Sequence, residues 1–318
     1  MNARQTAILV ALGAIGLTLA QDVRPGFDLY HTWQYAALMT IAIIVLMTYA
    51  ASARRGADGA AGRRIAVGII GALTIAVGGL LSGLIGPDTI TVGGSPGTVT
   101  PVPDLQAAVF FGSADPETIA RGDATVSLRQ KGTDPIAVPT GGRLFLGTSI
   151  LYLTARPAAY IVARDARGNR LTVTQPTNPT FLSPVLLFPQ NQPLRDKSYP
   201  LDTFAVPGLQ RIVRALYFSA DDAQTFNRLG SKQPALVLSV NDDSGKAIGL
   251  TIAPSGREAA VGDLHVTATL GTFPQLIVAS APHPALLIIG LLIFIGGVGA
   301  AFVIPGGRKP LGLPATEA

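Results

Sequence analysis

Three histidines, His31, His265 and His283, are the only imidazoles in the sequence, and cysteine is absent. Without cysteine the chain has no thiol nucleophile, no Cys-ligated zinc, no iron–sulfur cluster and no disulfide. The HExxH, GxSxG and P-loop patterns are missing as well, and no Ser/His/acid set can be assembled from the sequence. We therefore expect no catalytic residue and no metal site carried by this chain alone. The acids between residues 87 and 282 (Asp115, Glu117, Asp221 and Asp242 among them) sit mostly at turns, where capping and solvated roles account for them. His31 stands apart. It lies in Phe27-Asp28-Leu29-Tyr30-His31-Thr32-Trp33, an aromatic cluster that opens a long apolar run. Such a cluster suits the aromatic belt at a membrane interface. An imidazole there is also a candidate axial ligand for haem iron. His265 alternates within an expected strand, and His283 stands between Pro282 and Pro284, so ordinary structural roles are expected for both.

The surrounding sequence explains why an interface is the right setting. Charged residues are 14% of the chain, against about 25% in ordinary soluble proteins, and the mean hydropathy is +0.42. A helix needs about 20 apolar residues to cross the hydrocarbon core. Residues 33–51, 65–86 and 285–304 meet that length, and residues 6–20 come close. The first segment reads either as a retained helix or as a cleaved signal peptide ending near Thr18-Leu19-Ala20; we expect the helix. Lys and Arg hold the cytoplasmic ends of spans. Arg54, Arg55, Arg63 and Arg64 lie between the second and third spans, and Arg308 and Lys309 follow the fourth. The loop from Gln21 to Tyr30 has only Arg24, beside Asp22 and Asp28. Both termini are thus expected in the cytoplasm of a plasma or inner-membrane protein, with residues 87–282 outside. The net charge of +5 belongs to this topology, because it lacks the basic stripe with interleaved aromatics of a nucleic-acid binder.

Small residues line the spans at Gly68, Ala72, Ala76, Gly79 and Gly83, and at Gly290, Gly296, Gly297 and Gly299. They permit close helix approach, either within a four-helix bundle or against another membrane subunit. From residue 87 the pattern changes to short Val-, Ile-, Leu- and Thr-rich runs between Gly, Pro, Asn and Asp clusters, which reads as strands and turns. Asp165-Ala166-Arg167-Gly168-Asn169 and Asn241-Asp242-Asp243-Ser244-Gly245 are expected to close hairpins, and Ser219 to cap a helix over residues 221–229. No repeat at a solenoid or propeller period is visible. The expected fold is an integral membrane α-helical protein of four spans with a large all-β extracytoplasmic domain, an antiparallel sandwich or open barrel. Its domains are residues 1–86, 87–282 and 283–318.

The run Asp28-Leu29-Tyr30-His31-Thr32-Trp33, followed by an apolar span that ends in Arg54-Arg55, resembles the ResB family of System II cytochrome c biogenesis. In that family the second helix opens with an Asp-x-Tyr-His-Ser-Trp-Trp-like signature. Thr91-Val92-Gly93-Gly94 is similar to the turn that follows the family's third helix. Asn191-Gln192-Pro193-Leu194 and the closing stretch from Phe273 to Arg308 also resemble family segments. The resemblance covers the whole topology of three helices, an external domain and a last helix. It implies a subunit of a haem delivery and attachment complex, with haem shared with a ResC/CcsA-type membrane partner and apocytochrome c as the client. It also implies no independent activity and a role for His31 as haem ligand. The alternative is a non-haem accessory or binding subunit of a respiratory or photosynthetic complex.

Overall fold

The structure is a computed structural model that describes residues 2–23, 28–55, 59–139, 141–176, 178–194, 196–225 and 233–303. Arg24, Arg308, Lys309 and the second half of the expected helix over residues 221–229 lie outside the described residues. The chain divides into two compact units. One comprises Met1–Thr91, Arg143–Tyr152 and Ile277–Ala318, and the other Val92–Gly142 and Leu153–Leu276.

The first unit holds the four long helices, α1 (Ala3–Val23), α2 (Trp33–Arg54), α3 (Gly59–Ile85) and, at the far end of the chain, α6 (Pro284–Val303). All four are long and apolar enough to cross a membrane. The most apolar of them, α6, is also the least buried within the protein. Ile288, Leu292 and Ile295 on α6 and Ile41, Ile44 and Met47 on α2 stay largely exposed. Apolar outward faces of this kind are compatible with a lipid surrounding. α3 is the most buried of the four. Ala7, Ala11 and Ile15 of α1, Leu46, Tyr49 and Ala53 of α2 and Phe294 of α6 share one core with Ile65, Ile69 and Ala72 of α3.

The small-residue ridges work mainly inside this bundle. A β-carbon on Gly71 would strike the Gly290 carbonyl and the Phe294 amide, and one on Gly297 would strike the Gly68 backbone. Gly296 and Gly299 have open space around them. Gly71 lies outside the ridge expected from the sequence, yet it is among the tightest points of the α3–α6 contact.

The second unit is β-rich. Residues of strands 159–163, 259–261 and 264–270 bury one face against residues of strands 204–206, 213–215 and 236–240, so that two sheets share one apolar core. The strand-like runs 149–154 and 159–164 join into one strand, Ser149–Asp165, and the runs 264–269 and 275–279 into another, Leu264–Ser280. In the strand-like run 105–111, Leu105 belongs to a short 3-10 turn and the strand itself is Ala107–Phe111. A helix that the sequence pattern does not announce, α4 (Pro116–Arg121), starts on Asp115, whose side chain accepts the Thr118 N–H at 2.7 Å. α5 (Ala220–Thr225) starts where Ser219 accepts the Asp222 N–H at 3.2 Å.

Both expected hairpin turns form, and they form identically. Asp165 N–H donates to the Asn169 carbonyl and Gly168 N–H returns to the Asp165 carbonyl. Asp242 N–H donates to the Lys246 carbonyl, and Gly245 N–H returns to the Asp242 carbonyl. Gly168 and Gly245 take φ of 84° and 83°, the left-handed conformation in which glycine meets no Cβ penalty. In each turn the aspartate carboxylate accepts two backbone N–H groups, from Arg167 and Asn169 or from Ser244 and Lys246. Hydrogen bonds to the charged form, led by the Asn169 and Ser244 side chains, lower both carboxyl pKa values. A depressed folded-state pKa gives stability that is present above the unfolded value and lost as pH falls through the folded one. The double variant Asp165→Ala/Asp242→Ala should therefore melt below the parent at neutral pH. The gap should close as the pH drops through the carboxylate range in thermal melts. A gap that does not narrow at all as the carboxylates protonate would refute the account.

A duplication runs through this unit. Val102-Pro103-Asp104-Leu105-Gln106 recurs as Val206-Pro207-Gly208-Leu209-Gln210. Each copy is a strand end, a 3-10 turn and a glutamine in the left-handed region, with φ of 47° at Gln106 and 55° at Gln210. The N–H of each glutamine returns to the carbonyl of Pro103 or Pro207, at 2.8 and 3.0 Å. The registers match: Val102 pairs with Ala107 and Thr100 with Val109, as Val206 pairs with Arg211 and Phe204 with Val213. Each second strand leads through Ser-Ala-Asp into a short helix, then into a hairpin whose strands complete a four-stranded antiparallel meander. Equivalent positions are buried alike, Val109 with Val213, Phe111 with Ala215 and Leu128 with Val240, all at 0% exposure. The spacing is a single doubling and not a solenoid period.

Candidate functional site

His31 occupies a turn that the sequence builds immediately before α2. Thr32 caps the helix, accepting the Tyr35 N–H on its hydroxyl at 3.3 Å, while the same hydroxyl donates to the Leu29 carbonyl at 2.7 Å. Tyr30 is buried and donates to the Thr18 carbonyl of α1 at 2.5 Å. Its ring lies 4.9 Å from that of Tyr35. Gly83 of α3 packs on the Tyr30 backbone, so the start of α2 sits beside the end of α3. The turn is thereby tied to three helices, and a side chain projecting from it has a fixed origin.

The imidazole is held by an acid on one side and approached by a second acid on the other. Nδ1 lies 2.6 Å from Asp28 Oδ1, three residues earlier. Nε2 lies 3.8 Å from Oδ1 of Asp88, in the segment that leaves α3. Nε2 is shut off from solvent and has no hydrogen-bond partner among the described residues. The His31 side chain is 18% exposed, whereas that of Asp88 is 83% exposed and has room to turn away.

The three donor atoms lie within 4.8 Å of one another, but they do not act alike. With Nδ1–H donated to Asp28, the lone pair of the neutral ring is on Nε2. A carboxylate in that place is an outer-shell group that fixes tautomer and ring orientation. Asp28 is thus an orienting residue, and the first-contact donors are His31 Nε2 and Asp88. Two donors are too few for a closed tetrahedral metal site. A single oriented imidazole is the type of donor that one axial haem position takes, although here Nε2 is covered and faces Asp88.

Of the residues singled out in the sequence, the structure brings Asp28 and His31 together, while the other two histidines make local contacts of their own. His265 pairs with Glu258 at 2.7 Å across adjacent strands, Leu264–Ser280 and Glu258–Val261. His283 accepts the Ala285 N–H at 3.2 Å at the start of α6. Each is held by a local contact. Asp88 was missed. Its signal was the order of the helices, because an acid just beyond the end of α3 falls at the same end of the α2–α3 hairpin as His31.

A second feature has no counterpart in the sequence pattern. Arg156, half-buried in the β-rich unit, lines a cleft of about 430 Å³ with Gly93, Gly94, Thr98, Thr100 and Asp202. Burial pulls its guanidinium below the ordinary pKa, opposed by the charge of Asp202. It remains a cation at any physiological pH.

No protein-family model matches the sequence, and no curated protein or solved structure matches it.

Proposed function

We propose that this chain is the ResB-like subunit of a membrane cytochrome c maturation complex, working beside a ResC/CcsA-type haem-handling partner and receiving apocytochrome c. The observation that carries the reading is the His31 imidazole, held through Nδ1 by Asp28 and offering a buried, unshared Nε2. In this reading haem is cargo, attached at the CxxCH cysteines of the client. His31 holds the iron in transit, and Asp28 keeps the ring in the ligating tautomer. Lacking cysteine, the chain leaves thiol chemistry to other proteins and has no independent activity.

The topology belongs to the same proposal. Arg54 and Arg55 end α2, and Arg63 and Arg64 fall in the first turns of α3, so the basic residues gather at the end of the α2–α3 hairpin opposite His31. Retention of these charges in the cytoplasm places His31, Asp88 and the β-rich unit outside. α1 buries Ala7, Ala11, Ala14 and Thr18 along one stripe, which favours a retained helix over a cleaved signal.

One observation favours the second reading, a non-haem accessory subunit. Asp88, 3.8 Å from Nε2, would give a protonated His31 an ion pair with no ligand needed. Deletion of the gene followed by haem staining of membrane c-type cytochromes separates the two. The maturation role predicts loss of the stained bands and their return with the wild-type gene. Full retention of every band refutes it and leaves the accessory role.

A further inference from the structure

The cleft around Arg156 lies wholly within the β-rich unit and stands independently of the His31 reading. The guanidinium has five N–H donors, and among the described residues Arg156 makes one hydrogen bond, from Nη2 to the Gly94 carbonyl at 2.8 Å. Its Nε is buried with no partner there. The nearby carboxylate, Asp202, is already committed. One of its oxygens accepts the N–H groups of Leu187 and Phe188 at 2.9 and 3.1 Å, and the other accepts that of Thr203 at 2.7 Å. Asp202 tempers the positive field without supplying the guanidinium with a bonded acceptor.

The walls are built around this arginine. A β-carbon on Gly93 would come within 3.2 Å of Nη1, and one on Gly94 would run into the Phe111 ring. The Gly93-Gly94 pair is therefore what lets the chain pass between a cation and an aromatic ring. A half-buried cation with spare donors at the edge of an open cavity is costly unless an acceptor completes it. The acceptor that matches a guanidinium best is a planar carboxylate, which takes two N–H groups at once.

The duplicated meander indicates what kind of molecule would carry that carboxylate. In the second copy the edge strand, Lys197–Val206, is flanked by two further strands, Gln190–Leu194 along Lys197–Leu201 and Thr174–Gln175 at Ala205. In the first copy the equivalent strand, Val99–Val102, pairs only with Ala107–Phe111 among the described residues, and its Thr100 side chain borders the cleft. One copy completes this flank with its own polypeptide; the other leaves it next to Arg156. Pro101, at the position of Ala205, withholds an N–H and so prevents indiscriminate pairing along the edge.

We propose that the cleft beside Val99–Val102 binds a carboxylate, presented by an acidic residue of an extended polypeptide segment and received by Arg156. The test is titration of the full-length protein in nanodiscs with acetyl-Val-Glu-Val-amide, with its Gln counterpart and with sodium acetate. The Glu peptide should bind at least about tenfold more tightly than the Gln peptide, as expected for a charge-assisted pair. Arg156→Gln should abolish that preference, and Arg156→Lys, which keeps the charge without the fork, should retain a reduced one. The Lys variant also guards against a Gln variant that fails to fold. Arg156-dependent binding of acetate as tight as that of the Glu peptide would identify the source as a free carboxylate and sustain the site. Equal binding of the Glu and Gln peptides together with no Arg156-dependent acetate binding, or a Glu preference that survives in a folded Arg156→Gln protein, would overturn it.

Discussion

Replacing Asp28 with asparagine should weaken haem binding to the purified protein by about 10–100-fold, the usual cost of losing an outer-shell carboxylate. His31→Ala should remove the histidine-ligated spectrum altogether. The two variants are expected to differ in kind. In Asp28→Asn the new side-chain carbonyl can still accept the Nδ1–H, so the ring stays near its place, but the amide is neutral and no longer puts a negative charge behind the ligating imidazole. Haem that does bind Asp28→Asn should therefore show a more positive iron reduction potential than the parent, a change that a purely structural role for Asp28 would not produce. Asp88→Asn supplies the contrast. Asp88 is mostly exposed and 3.8 Å from Nε2, so its loss should leave binding unchanged or improve it. Binding unaltered in both Asp28→Asn and His31→Ala would remove the site from the reading.

The largest stability effect is expected at Phe111. It is fully buried, its ring lies 6.2 Å from that of Phe273, and Gly94 runs directly against its face. Phe111→Ala should cost about 3–5 kcal/mol, the transfer term plus the cavity left behind. The equivalent position in the second copy is Ala215, also at 0% exposure. The two meanders thus fill one buried position with side chains of very different volume, and each core has adjusted to its own. Ala215→Phe should consequently destabilise by overpacking, by about 1–3 kcal/mol or more. Urea unfolding of the full chain, followed by the loss of β-sheet circular dichroism, measures both. A double variant more stable than Phe111→Ala alone would show that the copies can exchange their packing, contrary to this account.

The parts of this fold that are legible in the sequence are those set by local chemistry. The long apolar helices follow from bilayer-length runs, and the two aspartate turns follow from Asp and Gly at fixed offsets. The long strands read as two pieces each because Pro157, and Gly271 with Pro274, look like punctuation. In the fold, the strand holding Pro157 is paired on one flank at residues 149–152 and again at 159–160 and 163–164. Pro157 falls in the gap between these partners, where a missing N–H costs little. The duplication escapes a reading of the sequence because Val-Pro-x-Leu-Gln is too short to stand out, with Gly208 in place of Asp104 within it. Its two copies are recognisable only once the glutamines share a backbone conformation and the strands a register. At the site, His31 and Asp28 are within reach of local reasoning. Asp88 and Arg156 need chain segments far apart in sequence to be brought together.

The α3–α6 contact bears on how the protein can be made. α6 leaves the ribosome after the other three long helices, yet its glycines complete the face of α3 on which Gly68 and Gly71 lie. In the proposed topology, every residue between the two helices must be exported before that face finds its match. During synthesis α3 waits with its most close-fitting surface against lipid or an insertion factor. Chains that stop short of α6 would leave that surface open to membrane quality-control proteases.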